Sequence, residues 1–125
     1  MRSTPTALRV KRFEVREKAR KVASLETAAV EFEHMVLHLA QQIAAEEQRT
    51  GVKNLEDFAY STLAKATTLR RAKLLNSLAD LRAKLDLAKR EQERAESELR
   101  TLEPAEMRDA DPPLRKLDHI DRRAP

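Results

Sequence analysis

Apolar residues recur at every seventh position through the first third of this 125-residue chain. A strict seven-residue repeat is typical of a helix that packs lengthwise against another helix. The first set is Leu8, Val15, Val22, Ala29, Val36 and Ile43, and a second set three residues further along contains Leu25, Phe32 and Leu39. This part of the chain is therefore predicted to be one long helix with its apolar edge against a partner helix.

The second half of the chain carries the same repeat. One heptad position holds Tyr60, Thr67, Leu74, Leu81, Ala88, Ala95 and Leu102, and the other holds Ala64, Arg71, Leu78, Leu85, Gln92 and Leu99. Between the two series lies Gly51, the one glycine of the chain, and glycine commonly ends a helix because it accepts the left-handed conformation. We predict an all-α fold, a long antiparallel two-helix coiled-coil hairpin.

The predicted boundaries follow from capping residues and prolines. Thr4 before Pro5 favours a helix start there, so the first helix is predicted over 4–50 and the bend over 51–54. Asn54 can cap a second helix over 55–103, and Ser61 is an alternative start.

Pro104 is expected to stop or kink the second helix. Asp111-Pro112-Pro113 then disfavours further regular helix, and residues 104–125 hold little apolar surface. We therefore expect a flexible, proline-rich C-terminal tail over residues 104–125. The hairpin itself is predicted to comprise residues 4–103.

The position of the bend determines the register of the two helices. A fold-back at Val52–Lys53 places Lys18 beside Gln92 and Lys11 opposite Leu99. Further pairs in the same register are Val15 with Ala95, Leu25 with Leu85, Phe32 with Leu78, and Val36 with Leu74. Lys18 then meets the polar Gln92 and the large apolar residues meet each other, which favours this register.

The distribution of charge favours the same arrangement. Residues 1–21 are net positive and would lie beside the net negative residues 91–106, while the acidic stretch 22–49 would lie beside the basic stretch 61–88. Each exposed ion pair contributes only ~0–1 kcal/mol. The matching of whole blocks nevertheless supports the antiparallel orientation.

Composition excludes several classes of function. Charged residues make up 37% of the chain and aromatic residues 3%, and cysteine is absent, which excludes a disulfide scaffold, thiol catalysis and cysteine-ligated zinc. A single glycine excludes a glycine-rich phosphate loop, and no segment is apolar enough to span a bilayer. We expect a cytoplasmic protein that is not an enzyme and needs no cofactor.

His34 and His38 are one helical turn apart and could contact one metal ion. Two ligands without a third make a poor metal site. No metal site is therefore predicted.

A basic stretch near the N-terminus is the first candidate binding surface. It contains Lys11, Arg12, Arg16, Lys18, Arg20 and Lys21, with Val10 and Phe13 interleaved. The heptad assignment places Val10 and Phe13 on the outer face, away from the second helix. Such a helix can bind an acidic protein groove, a membrane surface or nucleic acid, or it can be a solvated charged face.

The bend is the second candidate surface. Large side chains gather there with no further layer to cover them, and an apolar line continues along both helices outside the heptad positions. The residues are Phe58, Tyr60 and Leu63 near the bend, Leu69 and Leu75 on the second helix, and Met35 and Leu37 on the first. This line favours contact with a partner, although Tyr60 could instead close the core.

Two segments resemble a known family. Residues 8–23, LRVKRFEVREKARKVA, resemble the opening of FliJ, the small protein of bacterial flagellar export, most closely its alphaproteobacterial branch. Arg49-Thr50-Gly51 and residues 58–66, FAYSTLAKA, look like that branch's sequence at the hairpin bend. The resemblance covers about residues 5–103. The family usually continues its second helix beyond the position of Pro104, and only Leu117-Asp118-His119-Ile120 is similar to its C-terminal end.

The resemblance implies an antiparallel coiled coil, similar to the central stalk of rotary ATPases, whose open end enters the hexameric export ATPase. It further implies contacts with the cytoplasmic domain of the export gate and with export chaperones. The residues implied for the ATPase ring are Arg9, Lys11, Arg12, Phe13, Arg16 and Arg20. The residues implied for the gate are Ile43, Glu47, Phe58, Tyr60, Leu63 and Thr67.

The function expected from the resemblance is therefore non-enzymatic coupling within the flagellar type III export apparatus, in the cytoplasm at the base of the flagellum. The alternative is a basic coiled-coil adaptor that binds nucleic acid or a membrane surface through residues 9–21. Glu14 and Glu17 interrupt that basic stretch, unlike the usual DNA-binding basic region.

Overall fold

Two long helices form the described part of the protein. A computed structural model describes the backbone of residues 5–109 and the side chains of residues 5–103. Helix α1 spans Pro5–Thr50 and helix α2 spans Thr62–Asp109, and the two pack against each other. Residues 5–109 contain no strand. The predicted all-α helical hairpin is confirmed.

Helix α1 ends where its sequence predicts. Gly51 adopts φ +76°, and its N–H donates to the Glu47 carbonyl at 2.8 Å, which satisfies one of the last free carbonyls of the helix. The N–H of Val52 then donates to Thr50 Oγ1 at 3.2 Å. The one residue type that adopts a positive φ without strain therefore stands where the chain leaves the helix.

The segment between the helices is longer than predicted, because residues from 55 onward do not continue directly into a helix. The side chain of Asn54 accepts the N–H of Glu56 at 2.9 Å, and the side chain of Asp57 accepts that of Ala59 at 2.9 Å. Short polar side chains that bond to the backbone two residues ahead favour turns over helix.

Helix α2 begins at the alternative start. Ser61 Oγ accepts the N–H of Ala64 at 3.1 Å, which is the usual N-cap hydrogen bond. The first regular helical hydrogen bond runs from Lys65 N to Ser61 O at 3.0 Å. The predicted start at residue 55 is therefore wrong, and Thr62 is the first helical residue.

The predicted end of α2 at residue 103 is also wrong, because the helix continues through Pro104 to Asp109. Proline removes one backbone donor from a helix and disfavours it without forbidding it. The residues that follow, from Ala105 to Arg108, are mostly good helix formers. The rest of the predicted tail, residues 110–125, lies outside the described residues.

The heptad positions form the core, as predicted: every one of them from Leu8 to Leu102 is buried or half-buried.

Packing divides the chain into two compact units, one of Met1–Val22 with Ala88–Pro125 and one of Ala23–Leu87. The most buried residues of the first unit are Leu8, Val22, Ala88 and Ala95. Those of the second are Ala29, Val36, Leu39, Tyr60, Ala64, Thr67 and Leu78.

Ion pairs confirm the antiparallel register in the first unit. Lys11 Nζ lies 2.7 Å from Glu98 Oε1, and Lys18 Nζ lies 3.7 Å from Glu91 Oε1. Glu98 and Glu91 directly precede Leu99 and Gln92, which are the partners predicted for the two lysines. Each lysine therefore pairs with the carboxylate that directly precedes its predicted partner in the sequence.

The second unit has the same antiparallel arrangement. Arg82 Nη2 donates to Glu33 Oε2 at 2.6 Å, and Ser61 Oγ donates to Glu46 Oε2 at 2.6 Å. Of these two α1 residues, Glu46 is nearer the end of its helix, and its partner Ser61 precedes Arg82 in the sequence. This order is that of two antiparallel helices. The basic stretch 61–88 lies beside the acidic stretch 22–49, as the distribution of charge predicts.

Candidate partner-binding surfaces

The first unit carries a basic face on α1. Arg9, Phe13, Arg16 and Arg20 follow one another at intervals of four, three and four residues, so they share one side of the helix. All four are exposed, and Phe13 retains 55% of its accessible surface. Val10 is exposed beside them. The predicted outward orientation of Val10 and Phe13 is confirmed.

Lys11 does not belong to this exposed face. Its Nζ lies 2.8 Å from Glu14 and 2.7 Å from Glu98, and its side chain is half-buried in the core. The hydrogen bonds that Lys11 donates to Glu14 and Glu98 raise the pKa of Lys11, and the bond to Glu14 lowers the pKa of Glu14. Lys11 was implied as a ring contact by the family resemblance, whereas the structure uses it between the helices.

The remaining arginines differ in their pairing. Arg12 Nη2 lies 3.5 Å from Glu103 Oε2 on α2, and Arg20 pairs with Glu17 on its own helix. Arg9 and Arg16 are exposed and form no hydrogen bond or ion pair within the described residues. Among the described residues, the guanidinium groups of Arg9 and Arg16, with Phe13 between them, are therefore unpaired.

In the second unit, two of the residues implied for the gate are core residues. Tyr60 is buried, and its hydroxyl donates to Glu47 Oε2 at 2.6 Å. That hydrogen bond to a carboxylate, aided by burial, raises the pKa of Tyr60. Thr67 is buried as well, and its hydroxyl donates to the Leu63 carbonyl of its own helix at 2.9 Å. Tyr60 thus closes the core, which was the alternative that the sequence left open.

The other implied gate residues are more accessible. Ile43 is half-buried at its heptad position, and Leu63 is exposed on α2. Phe58, in the segment between the helices, is fully exposed. Leu55 in the same segment is exposed too; it was missed because the sequence placed it at the start of a helix. Leu55, Phe58 and Leu63 are thus three exposed apolar residues in or next to the segment between the helices.

Glu46 forms hydrogen bonds that connect the start of α2 to the end of α1. Its carboxylate accepts hydrogen bonds from Arg49 Nη2 at 2.7 Å and from Ser61 Oγ at 2.6 Å. These bonds, the one from Arg49 above all, lower the pKa of Glu46 from 4.5 to about 2. Ser61 also caps α2, so one carboxylate links the cap of the second helix to the last turn of the first.

The stability of the second unit should depend on pH through Glu46. A carboxyl group whose pKa is lower in the folded state stabilises that state above its ordinary pKa, and the contribution disappears as the pH falls. We expect the melting temperature of the native protein to fall more steeply between pH 4.5 and pH 2 than that of the Glu46→Gln variant. Circular dichroism melts at each pH test this.

Glu31→Gln is the matched control, because Glu31 is exposed and forms no hydrogen bond or ion pair within the described residues. Its pH profile should follow that of the native protein. Parallel profiles for Glu46→Gln and the native protein would contradict the role assigned to Glu46.

No group of three or more His, Asp or Glu side chains in the described part of the chain could hold a metal ion. His34 and His38 line one cavity of the second unit together. Neither α1 nor the described part of α2 contains a segment apolar enough to cross a membrane.

Comparisons of the chain with protein-family models, with curated proteins and with solved structures found no match.

Proposed function

We propose that this chain is a non-enzymatic coupling protein of the bacterial flagellar type III export apparatus. In this role it contacts the hexameric export ATPase, the cytoplasmic domain of the export gate and export chaperones, in the cytoplasm at the flagellar base. The observation that carries the proposal is that each of the two FliJ-like segments contains an exposed phenylalanine. Residues 8–23 contain Phe13, and residues 58–66 begin with Phe58.

The basic face has the chemistry that binding to an acidic ring requires. Arginine donates paired, charge-assisted hydrogen bonds to carboxylates, and Arg9 and Arg16 have no such partner among the described residues. An exposed aromatic residue between them supplies the kind of apolar anchor that dominates many protein interfaces. Arg9, Phe13 and Arg16 are therefore the residues proposed to contact the export ATPase.

The surface at the bend is proposed to contact the export gate. Phe58 and Leu63 are exposed on either side of Tyr60 in the sequence, and Tyr60 is joined to Glu47 by a hydrogen bond. A rigid support keeps the geometry of a contact surface constant. Tyr60, Thr67 and Ile43 therefore support this surface, while Phe58 and Leu63 touch the partner.

A second candidate function uses the same basic face. Unpaired arginines beside an exposed Phe13 also suit a polyanion, so residues 9–21 could attach the chain to nucleic acid or to an anionic membrane surface. The two functions differ in their dependence on salt and in the partner they need.

Adding the purified chain to the hexameric flagellar export ATPase of a flagellated alphaproteobacterium should raise the rate of ATP hydrolysis until the added protein saturates it. The chain should also co-elute with the ATPase in size-exclusion chromatography. The assay measures phosphate release as a function of the concentration of the chain.

An unchanged hydrolysis rate without co-elution would contradict the proposal. Binding to random-sequence DNA that weakens steeply with added salt would favour the nucleic-acid adaptor. Binding to vesicles of anionic but not of neutral lipid would favour the membrane adaptor.

A further inference from the structure

A groove in the second unit runs between α1 and α2 and contains two neighbouring cavities. The first has a volume of about 340 Å³ and includes Met35 and Leu39 of α1 and Leu74 of α2 in its wall. The second has a volume of about 400 Å³ and lies nearer the bend, with Ala45 and Leu63 in its wall. Arg70 lines both cavities.

The wall of the second cavity repeats that of the first at an interval of one heptad on both helices. On α1, Met35, His38 and Leu39 of the first cavity correspond to Gln42, Ala45 and Glu46 of the second. On α2, Leu74 and Arg70 of the first cavity correspond to Thr67 and Leu63 of the second. In a coiled coil, a side chain of one helix enters a hole formed by residues of its neighbours. Two holes one heptad apart lie about 10 Å apart along a helix, which matches the spacing of successive core side chains on a third helix.

Both cavities have apolar residues in their walls, which in the second lie beside polar residues such as Gln42 and Thr67. Leu39 is buried, Leu74 is half-buried, and Met35 and Leu63 are exposed. Isolated exposed apolar residues are common on protein surfaces. Here Met35 lies in the wall of the first cavity and Leu63 in the wall of the second, so a helix that entered the groove would bury both.

The charge of the groove favours an acidic occupant. Arg49 is neutralised by Glu46, which it contacts at 2.7 Å. Arg70 is exposed and forms no hydrogen bond or ion pair within the described residues. The wall of the first cavity contains His34, His38 and Arg70 but no carboxylate. An unneutralised guanidinium group therefore lies between the two holes.

We propose that this groove binds an amphipathic α-helix of a partner protein, which places two apolar side chains one heptad apart in the two cavities and a carboxylate against Arg70. The contact is helix-in-groove recognition. The site completes a local three-helix arrangement in the second unit. It does not depend on the identity of the export partners, because it follows from the spacing and charge of the groove.

A designed helical peptide three heptads long provides the probe. It carries leucine at its core positions and glutamate on both flanks, and a matched peptide carries lysine in place of each glutamate. Fluorescence anisotropy of the labelled peptides measures binding to the full chain. We expect the glutamate peptide to bind about tenfold more tightly than the lysine peptide, which corresponds to ~1.4 kcal/mol.

Two variants test the geometry. Arg70→Glu should reverse the preference between the peptides, whereas Arg90→Glu, which removes an exposed arginine of the first unit, should leave it unchanged. Ala45→Trp should block the second cavity and weaken binding of the glutamate peptide about tenfold or more. Ala44→Trp is its control, because Ala44 is exposed but does not line either cavity. Circular dichroism establishes that all four variants are folded.

A change in the NMR chemical shift of the Met35 methyl group on adding the glutamate peptide would locate the peptide in the first cavity. Equal affinity for the two peptides, or a preference that Arg70→Glu does not change, would overturn the proposal. The absence of binding by either peptide would also overturn it. Light scattering that shows self-association of the chain through this groove would do the same. Since the assay contains no flagellar component, its failure would be distinct from failure of the proposed coupling function.

Discussion

Replacing Leu39 with Ala should lower the free energy of unfolding by about 2–5 kcal/mol. Leu39 retains only 4% of its accessible surface in the core of the second unit. Truncation removes buried methyl groups and leaves a cavity that rigid helices fill only in part. A domain is typically stable by only about 5–15 kcal/mol, so the change would remove a large fraction of the total.

Leu37→Ala is the matched control, because Leu37 is two residues away on the same helix and retains 57% of its surface. The same change there should alter the free energy of unfolding by less than about 0.5 kcal/mol. Urea denaturation followed by circular dichroism measures both variants. Similar losses at the two positions would mean that the heptad positions are not the core.

Replacing Arg9 and Arg16 together with Glu should abolish stimulation of the export ATPase while the hairpin stays folded. The prediction rests on the proposed function. Neither arginine bonds to another described residue, so their removal breaks no hydrogen bond or ion pair within that part of the chain. A glutamate at position 16 would stand one turn from Arg12 and from Arg20 on α1, which is favourable for the helix.

Binding, in contrast, would lose two guanidinium groups and gain two negative charges facing an acidic ring, and like charges at an interface are strongly unfavourable. The control replaces Arg90 and Arg94, exposed arginines on α2 of the same unit, with Glu. It produces the same change in net charge on the other helix and should retain stimulation. Equal stimulation by both double variants would remove the basic face from the mechanism, and equal loss would assign the effect to net charge alone.

The positions of apolar residues were sufficient to predict the fold. Because side chains at heptad spacing line one edge of a helix, the sequence predicted which residues are buried, and Leu39 and Leu78 are both in the core. The same reasoning predicted that Val10 and Phe13 face outward. The register followed as well, since Lys11 and Lys18 pair with residues adjacent to their predicted partners.

The boundaries of α2 were predicted less well, for a local reason. Asn54 is a good helix cap, but its side chain and that of Asp57 form turns instead, and sequence alone does not decide between these competing hydrogen bonds. At the other end, Pro104 disfavours helix without excluding it, and α2 continues to Asp109.

Only the tertiary structure decided which side chains of the candidate surfaces are free. Tyr60 had two predicted roles, and its hydrogen bond to Glu47 places it in the core. Arg12 lies near Glu103, while Arg9 and Arg16 have no partner among the described residues, a difference that depends on the reach and rotamers of long side chains. The heptad pattern determines which edge of each helix faces the other, because that edge must be buried. The cavities beside Arg70 depend instead on how two particular edges fit together, which no single helix specifies.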